Sequence, residues 1–309
     1  MGGKHRVVVL GAGYAGLAAA TRLAKQVHPD MVSVDLVNAR DHFVQRPRLH
    51  QVSTGQVVSH PSLAEVIRGT RIDLTVGWVH GIDLAGRRVE ITTRDGETSL
   101  YYDTLVYALG SATDTRAVPG IDAHAHTLDP AEAPRIAERL GGMATGTVAV
   151  CGGGLTGIET AAEVAERYPD TTVQLITRGE PGDWLSPRAR AYLGKAFGRL
   201  GIRVRSHSEI TEVDDGAVRL SRGADVPFDL CLWAGGFRVP ALAANAGLAV
   251  DERGRALVDP YLRSVSHPDV YVVGDAAAAR GEWGDAIATP WCSSSARSMN
   301  ARAADPWQC

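Results

Sequence analysis

Two glycine-rich motifs constrain this chain more than any other feature of its sequence. The first is Gly11-Ala-Gly13-Tyr-Ala-Gly16 and the second is Gly152-Gly-Gly154-Leu-Thr-Gly157. Each follows a short apolar run, at residues 7–10 and 148–151, and opens an alanine-rich stretch with helical character. This order of strand, turn and helix directs a helix N-terminus at a pyrophosphate group. Two copies therefore predict two dinucleotide-binding units in one chain.

Length and composition are compatible with two such units and exclude several other classes of protein. A chain of 309 residues exceeds one ordinary domain. Lys and Arg number 32 against 35 Asp and Glu, and the net charge of −3 leaves no basic footprint for nucleic acid. The four cysteines form no Cys-x-x-Cys, which argues against a zinc ribbon, a disulfide framework or a local redox pair. We expect a reduced, cytoplasmic setting.

Short strands fill the region between the two motifs. Residues 74–83, 87–93 and 97–102 read as strands, and Ala85-Gly86 and Asp95-Gly96 separate them. Such turn signals predict a β-meander. A second strand-rich stretch follows the second motif, so the architecture is expected to repeat along with the motif.

The chain is expected to cross between two domains twice. The apolar run 102–111 closes the first strand-rich region, and we place the first crossing near residue 122. The second region closes with Gly235-Gly236, and the later run 270–275 has the pattern of a buried strand that returns to the first domain. The predicted segments are residues 1–122 of the first domain, residues 123–242 as the second domain, and residues 243–309 as the return segment.

The positions that normally contact the adenosine ribose carry no acidic side chain here. In the first unit the position is Asn38, which can still hydrogen-bond a ribose. In the second unit it is Thr177, and Arg178 follows it. A missing carboxylate beside a cation makes NADPH as acceptable as NADH, or slightly favoured. The alternative is that Arg178 is a solvated surface charge.

In chain order, the motifs match those of a known family. The first glycine motif, the run 102–111, the second motif with Glu159, the run 232–237 and the run 272–275 follow one another. This order resembles the FAD-dependent pyridine nucleotide-disulfide oxidoreductases. The chain is most similar to the branch of type II NADH dehydrogenases and apoptosis-inducing-factor-like oxidoreductases, because residues 43–50 replace the segment in which disulfide reductases carry a cysteine pair.

The resemblance implies an α/β fold with two Rossmann-like domains of the glutathione-reductase type and β-meander insertions. Residues 1–122 and 243–309 would bind FAD, and residues 123–242 would bind NAD(P)H. The FAD site would include Gly11, Gly13, Gly16, Gly110 and Asp275, and the nicotinamide cofactor site would include Gly152, Gly154, Gly157 and Glu159. We also predict cofactor contacts for Ala15, Asn38, Arg40, Arg46, Arg178, Gly236 and Gly274, and we predict no metal ligands.

Three of these predictions have plainer alternatives. Glu159 is the candidate catalytic residue, which would orient the nicotinamide carboxamide or relay a proton. The plainer alternative is a carboxylate that is stabilised by the helix dipole in the first turn of a helix. Asp275 either accepts a hydrogen bond from a ribityl hydroxyl or caps a helix. Arg46-Pro47-Arg48-Leu49-His50 is expected to be a loop that either contacts a flavin phosphate or ring edge or is merely solvated.

The implied function is hydride transfer from NAD(P)H to the flavin, followed by passage of two electrons to a quinone or a similar small acceptor. The protein would chiefly supply orientation. One alternative is a reductase of a ferredoxin or rubredoxin-type protein carrier, which would need a basic docking surface. Another is a catalytically weak nucleotide-binding redox sensor. We expect no nucleic-acid partner, and nothing in the sequence supports the membrane association known in the family.

The C-terminal segment is shorter than the family pattern. Such proteins usually continue after the segment equivalent to residues 290–292 into an interface domain that covers the flavin and mediates dimers. This chain stops at Cys309. We therefore expect an exposed flavin edge and a weak or absent dimer contact.

Overall fold

The computed structural model describes residues 3–279. The expectations for residues 290–292 and for the C-terminus lie outside this part of the chain. The helices are α1 Tyr14–Gln26, α2 Leu49–Ser53, α3 Leu63–Val66, α4 Ile121–His124, α5 Ala133–Gly142, α6 Leu155–Arg167, α7 Pro187–Arg199 and α8 Leu242–Ala246. Short 3₁₀ turns lie at Arg46–Arg48 and Gly274–Ala276.

The strands within residues 3–279 form two large and several small sheets. In chain order they are β1 His5–Leu10, β2 Val32–Asn38, β3 Ile72–Asp83, β4 Arg88–Thr93, β5 Gly96–Tyr101, β6 Thr104–Tyr107, β7 Ala112–Thr113, β8 His126–Thr127, β9 Gly146–Cys151, β10 Thr171–Ile176, β11 Arg203–Arg205, β12 Ile210–Asp214, β13 Ala217–Leu220, β14 Val226–Pro227, β15 Leu230–Trp233, β16 Phe237–Arg238, β17 Ala256–Leu257, β18 Val270–Val272 and β19 Ala277–Ala278.

Within the described residues, the first of two compact units contains residues 3–43, His60–Ser111 and residues 238–279. Its sheet has the order β18-β6-β1-β2-β3-β4-β5. The strands from β18 to β3 are parallel, whereas β3, β4 and β5 form an antiparallel meander. The predicted β-meander is therefore confirmed as an extension of the parallel sheet.

Strand β1 is apolar throughout its second half because both faces of the sheet are covered. Val8 and Leu10 pack into a cluster with the meander and α8, while Val7 and Val9 pack into a cluster with α1. All four side chains have no exposed surface. Burying each of them contributes about 1.5–3 kcal/mol relative to exposure, which accounts for an unbroken apolar run in place of an alternating one.

The second unit contains Val44–Ser59 and Ala112–Phe237. Its parallel sheet has the order β11-β10-β9-β15-β8, and β12, β13 and β14 form a separate antiparallel sheet. Helices α5, α6 and α7 cover the face of β9 that carries Val148 and Val150. The three-stranded sheet covers the opposite face, which carries Ala149 and Cys151.

The core of each unit has the same arrangement. Strand β1 lies between β2 and β6 in the first unit, and β9 lies between β10 and β15 in the second, with all these pairs parallel. The prediction of an α/β fold with two Rossmann-like units is confirmed. In the described part of the chain, no helix is both long enough and apolar enough to cross a membrane.

The unit borders differ from the predicted crossings near residues 122 and 242. They lie near residues 111 and 237 because the chain after Ser111 already bonds to the end of the second unit. The backbone N–H of Asp114 donates to the carbonyl of Gly236, and the indole N–H of Trp233 donates to the carbonyl of Asp114. The inclusion of Val44–Ser59 in the second unit was not predicted at all.

Candidate functional site

The first glycine turn follows β1 and uses its three glycines in different ways. Gly11 has φ of +94°, and a Cβ there would lie 2.5 Å from the carbonyl oxygen of Ala108. A Cβ on Gly16 would lie 1.9 Å from the carbonyl oxygen of Gly11. These two glycines are required for packing. Gly13 differs, because a Cβ there would meet nothing within 4 Å, and no side chain caps the start of α1 at this residue.

Residues from two other strand ends lie in the same unit beside this turn. Gly274 follows β18 with φ of +71°, and its Cβ would lie 3.1 Å from the Cβ of Ala15. The next residue, Asp275, accepts a hydrogen bond of 2.7 Å from the hydroxyl of Ser111. Gly110 precedes that serine with φ of +66° and has open space around it. The structure thus brings both of these predicted strand-end groups to the carboxyl edge of the parallel sheet, where ligands of such sheets bind.

Asn38 lies at the end of β2, and its side chain hydrogen-bonds to the backbone of two other residues. Its side-chain oxygen accepts a hydrogen bond of 2.9 Å from the backbone N–H of Ala12, and its amide group donates to the carbonyl of Arg40 at 2.8 Å. The Arg40 side chain is exposed. Asn38 therefore ties the glycine turn to the loop after β2, a role that the sequence did not indicate.

The second glycine turn follows β9 and repeats the geometry of the first. Gly152 has φ of +128°, and a Cβ there would lie 2.6 Å from the carbonyl oxygen of Ala234. A Cβ on Gly157 would lie 1.9 Å from the carbonyl oxygen of Gly152. Gly154 has open space around it, and no side chain caps α6 at this residue. The backbone N–H groups at the start of α6 are thus open to an anion.

The end of β10 carries Thr177 and Arg178, the residues predicted to face the ribose in the second unit. Thr177 is 5% exposed, and its hydroxyl donates to the carbonyl of Gly179 at 3.0 Å. Arg178 is exposed. Gly236, at the end of the neighbouring β15 region, has φ of +98° and open space around its Cβ position. The exposed Arg178 side chain therefore lies at this edge of the second sheet, together with open backbone at Gly154 and Gly236.

Glu159 lies in α6, just past the second glycine turn, and a histidine approaches it. His50 Nδ1 is 3.7 Å from Glu159 Oε2, and the two side chains are 11% and 38% exposed. Burial raises the pKa of Glu159. Burial, and then the positive charge of Arg48, lower the pKa of His50.

The segment that carries His50 is helical, so the predicted loop at residues 46–50 is wrong. Arg46–Arg48 form a 3₁₀ turn and α2 begins at Leu49, because Leu49 is buried and the segment packs against α5 and α6. The Leu49 and Val52 spacing is typical of a helix face and was the available signal. Arg46 lies in this segment of the second unit, and its predicted cofactor contact stays a prediction.

Two cysteines that are far apart in the sequence meet beneath the second glycine turn. Cys151 and Cys231 are free, buried thiols with sulfur atoms 3.7 Å apart. The hydrogen bond with Cys231, together with burial, raises the pKa of Cys151 well above its usual value. Such thiols are poor nucleophiles. Among residues 3–279, no group of three or more His, Cys, Asp and Glu side chains is arranged to hold a metal ion.

Comparison with known proteins gives a consistent result. Residues 5–304 match a family model described as pyridine nucleotide-disulphide oxidoreductase. The chain is 32% identical to an NADH dehydrogenase-like protein of Mycobacterium tuberculosis, covering 89% of this chain and 73% of that protein. It is 27% identical to a type II NADH:quinone oxidoreductase of the same species, covering 90% and 68% of the two chains.

The fold also resembles solved structures. A ferredoxin reductase from Rhodopseudomonas palustris superposes with a TM-score of 0.78 and is 25% identical, covering 91% of this chain and 70% of that chain. Other solved chains are longer, and this chain spans as little as 52% of their length.

Proposed function

The chain belongs to the pyridine nucleotide-disulphide oxidoreductase family, and on that premise we propose that it is an FAD-dependent oxidoreductase that oxidises NAD(P)H and reduces a quinone or a similar small acceptor. The observation that carries the proposal is the pair of open glycine turns. Gly13 and Gly154 each stand at an uncapped helix start with space where a Cβ would be. A pyrophosphate needs such space to approach backbone N–H groups.

The first unit has the residues that would hold FAD. The N–H groups of the first glycine turn would bind the pyrophosphate, and Asn38 holds that turn in place through Ala12. The Asp275 carboxylate, oriented by the Ser111 hydroxyl, can accept a hydrogen bond from a ribityl hydroxyl. The chemistry that FAD supplies when bound is uptake of a hydride from NAD(P)H and delivery of two electrons to the acceptor.

The second unit has the residues that would hold NAD(P)H. The N–H groups at the start of α6 would bind its pyrophosphate, and Arg178 would lie beside the ribose, with no carboxylate at residue 177 to repel a 2′-phosphate. Glu159 would receive the nicotinamide, where its carboxylate form can accept a hydrogen bond from the carboxamide. No nucleophile is required from the protein.

The acceptor is proposed from the relatives. A type II NADH:quinone oxidoreductase is among them, which favours a quinone. The resemblance to a ferredoxin reductase supports a protein carrier as the second candidate. The net charge of −3 gives no support for the basic docking surface that an acidic carrier would need.

The proposal is tested by an anaerobic visible spectrum of the purified protein before and after addition of NADPH, then NADH, then a water-soluble quinone. We expect a flavin spectrum that bleaches with reduced nucleotide and returns with the quinone. A flavin that bleaches but returns only with a ferredoxin would favour the carrier reductase. A flavin that neither nucleotide bleaches would favour the redox sensor, and a colourless protein that takes up no FAD would contradict the proposal.

Replacement of Arg178 by Asp is expected to shift the nucleotide preference. The change removes a cation that can bind a 2′-phosphate and adds a carboxylate that repels it. We expect the ratio of kcat/KM for NADPH to that for NADH to fall by about tenfold or more. Arg222→Asp, an equal charge change in an exposed turn between β13 and β14, is the control. An unchanged ratio in Arg178→Asp would remove this assignment.

A further inference from the structure

Two contacts on the C-terminal side of His50 hold its segment against α6 in the second unit. The amide of Gln56 donates to the Glu163 carboxylate, and the hydroxyl of Tyr168 donates to the carbonyl of Thr54 at 3.0 Å. Helix α2 also packs against α5. The position of the imidazole near Glu159 is therefore set by the packing of the segment and does not depend on the ion pair itself.

The surroundings of His50 and Glu159 disfavour charge on either group. The separation of 3.7 Å between Nδ1 and Oε2 exceeds a hydrogen bond, so the attraction depends on the charges of the two groups. Burial lowers the pKa of His50 and raises the pKa of Glu159, which brings together two titrations that are normally well separated. A hydrogen bond with the backbone carbonyl of Pro47 acts in the opposite direction to burial and raises the pKa of His50.

Within residues 3–279, other charged side chains lie on the segment that carries His50 and on α5 and α6, which pack against it. Arg48, on the same segment, is the positive charge that acts on His50, and it also donates to the side-chain oxygen of Gln51. Along α6 the next carboxylate is Glu163, which is bonded to Gln56. On α5, Glu138 is exposed, Arg135 bonds to Glu132, and Arg139 bonds to the carbonyl of Asp229.

We propose that His50 is a positioning residue for Glu159, and that its imidazole acts on the carboxyl group through charge. When His50 is protonated, the imidazolium favours the carboxylate form of Glu159, whose oxygen lies 3.7 Å from Nδ1. The inference rests on the proposed function, in which Glu159 receives the nicotinamide, and it makes the charge of Glu159 depend on the protonation of His50.

The direct test is the pKa of His50, measured by NMR of the imidazole C–H signals in the flavin-loaded protein. The His50 signal is identified by its loss in His50→Gln. A carboxylate favours the protonated imidazole, so Glu159→Gln is expected to lower the pKa of His50 by about one unit. The control is Glu166→Gln, which removes the same charge from an exposed position about two turns further along α6 and is expected to leave the pKa of His50 unchanged. An unchanged pKa in Glu159→Gln, or an equal fall in both variants, would overturn the proposal.

A second variant keeps the test independent of Glu159. Arg48 is exposed, so Arg48→Gln is expected to fold normally and to raise the pKa of His50 by about half a unit. In His50→Gln, Glu159 is expected to ionise at higher pH, so the acidic limb of kcat/KM for NADH moves to higher pH. An acidic limb that does not move would count against the pair. A flavin that NADH never reduces would instead refute the proposed function. The pKa of His50 measured by NMR would still test the interaction between His50 and Glu159.

Discussion

Gly13→Val is expected to fold like the unchanged protein and to be purified without flavin. The Cβ position of Gly13 meets nothing within 4 Å, so the fold accommodates the side chain. The new methyl groups occupy the space through which a pyrophosphate would approach the start of α1. We expect FAD affinity to fall at least about 100-fold, which corresponds to about 2.7 kcal/mol, while the free energy of unfolding changes by no more than about 1 kcal/mol.

The equivalent change in the second unit has a different expected result. Gly154→Val should keep its flavin, and chemical reduction with dithionite should still bleach it, but NADH and NADPH should not. The two variants therefore control for each other. If Gly154→Val lost flavin and Gly13→Val kept it, the assignment would be reversed, with FAD at the second glycine turn and NAD(P)H at the first. If both variants behaved like the unchanged protein, neither turn would bind a pyrophosphate.

Gly16→Ala and Gly157→Ala are expected to lose at least about 3 kcal/mol of folding stability each. In both variants the new Cβ would lie 1.9 Å from a backbone carbonyl oxygen of the preceding turn, so the helix must move away from the sheet. Urea unfolding followed by circular dichroism measures the loss. Gly194→Ala in α7 is the control, because its Cβ meets nothing within 4 Å, and helix propensity predicts a gain of up to about 1 kcal/mol. Unfolding midpoints equal to that of the unchanged protein would mean that the close approach does not exist.

The glycine turns could be predicted from sequence because their geometry is local. Gly11 needs a left-handed conformation and Gly16 needs close contact with Gly11, and both requirements fall within one short motif. The strands around them were also predictable, since burial on both faces leaves an apolar run that is visible without a structure. The position of Asn38 could be predicted because the end of β2 lies at a fixed place in a βαβ unit, whereas its hydrogen bonds to the backbone of Ala12 and Arg40 could not.

The contact between His50 and Glu159 could not be predicted, because it depends on packing between segments that are remote in the sequence. Nothing near residue 50 indicates that Val44–Ser59 joins the second unit. The hydrogen bonds that hold it there, from Gln56 and Tyr168, join side chains to partners more than one hundred residues away. The unit border after Ser111 has a similar origin, since it depends on hydrogen bonds between Asp114 and the distant β15 region.

The sheet order of the first unit has a consequence for synthesis of the chain on the ribosome. Strand β6 pairs with β1 on one side, and its other side is filled by β18, which follows the whole of the second unit in the sequence. While residues 112–269 are being translated, that edge of β6 has no partner strand. An open strand edge is a template for pairing with other nascent chains. Ribosome-bound chains stalled before Val270 should therefore recruit chaperones more strongly than the released chain, in which β18 can pair with β6.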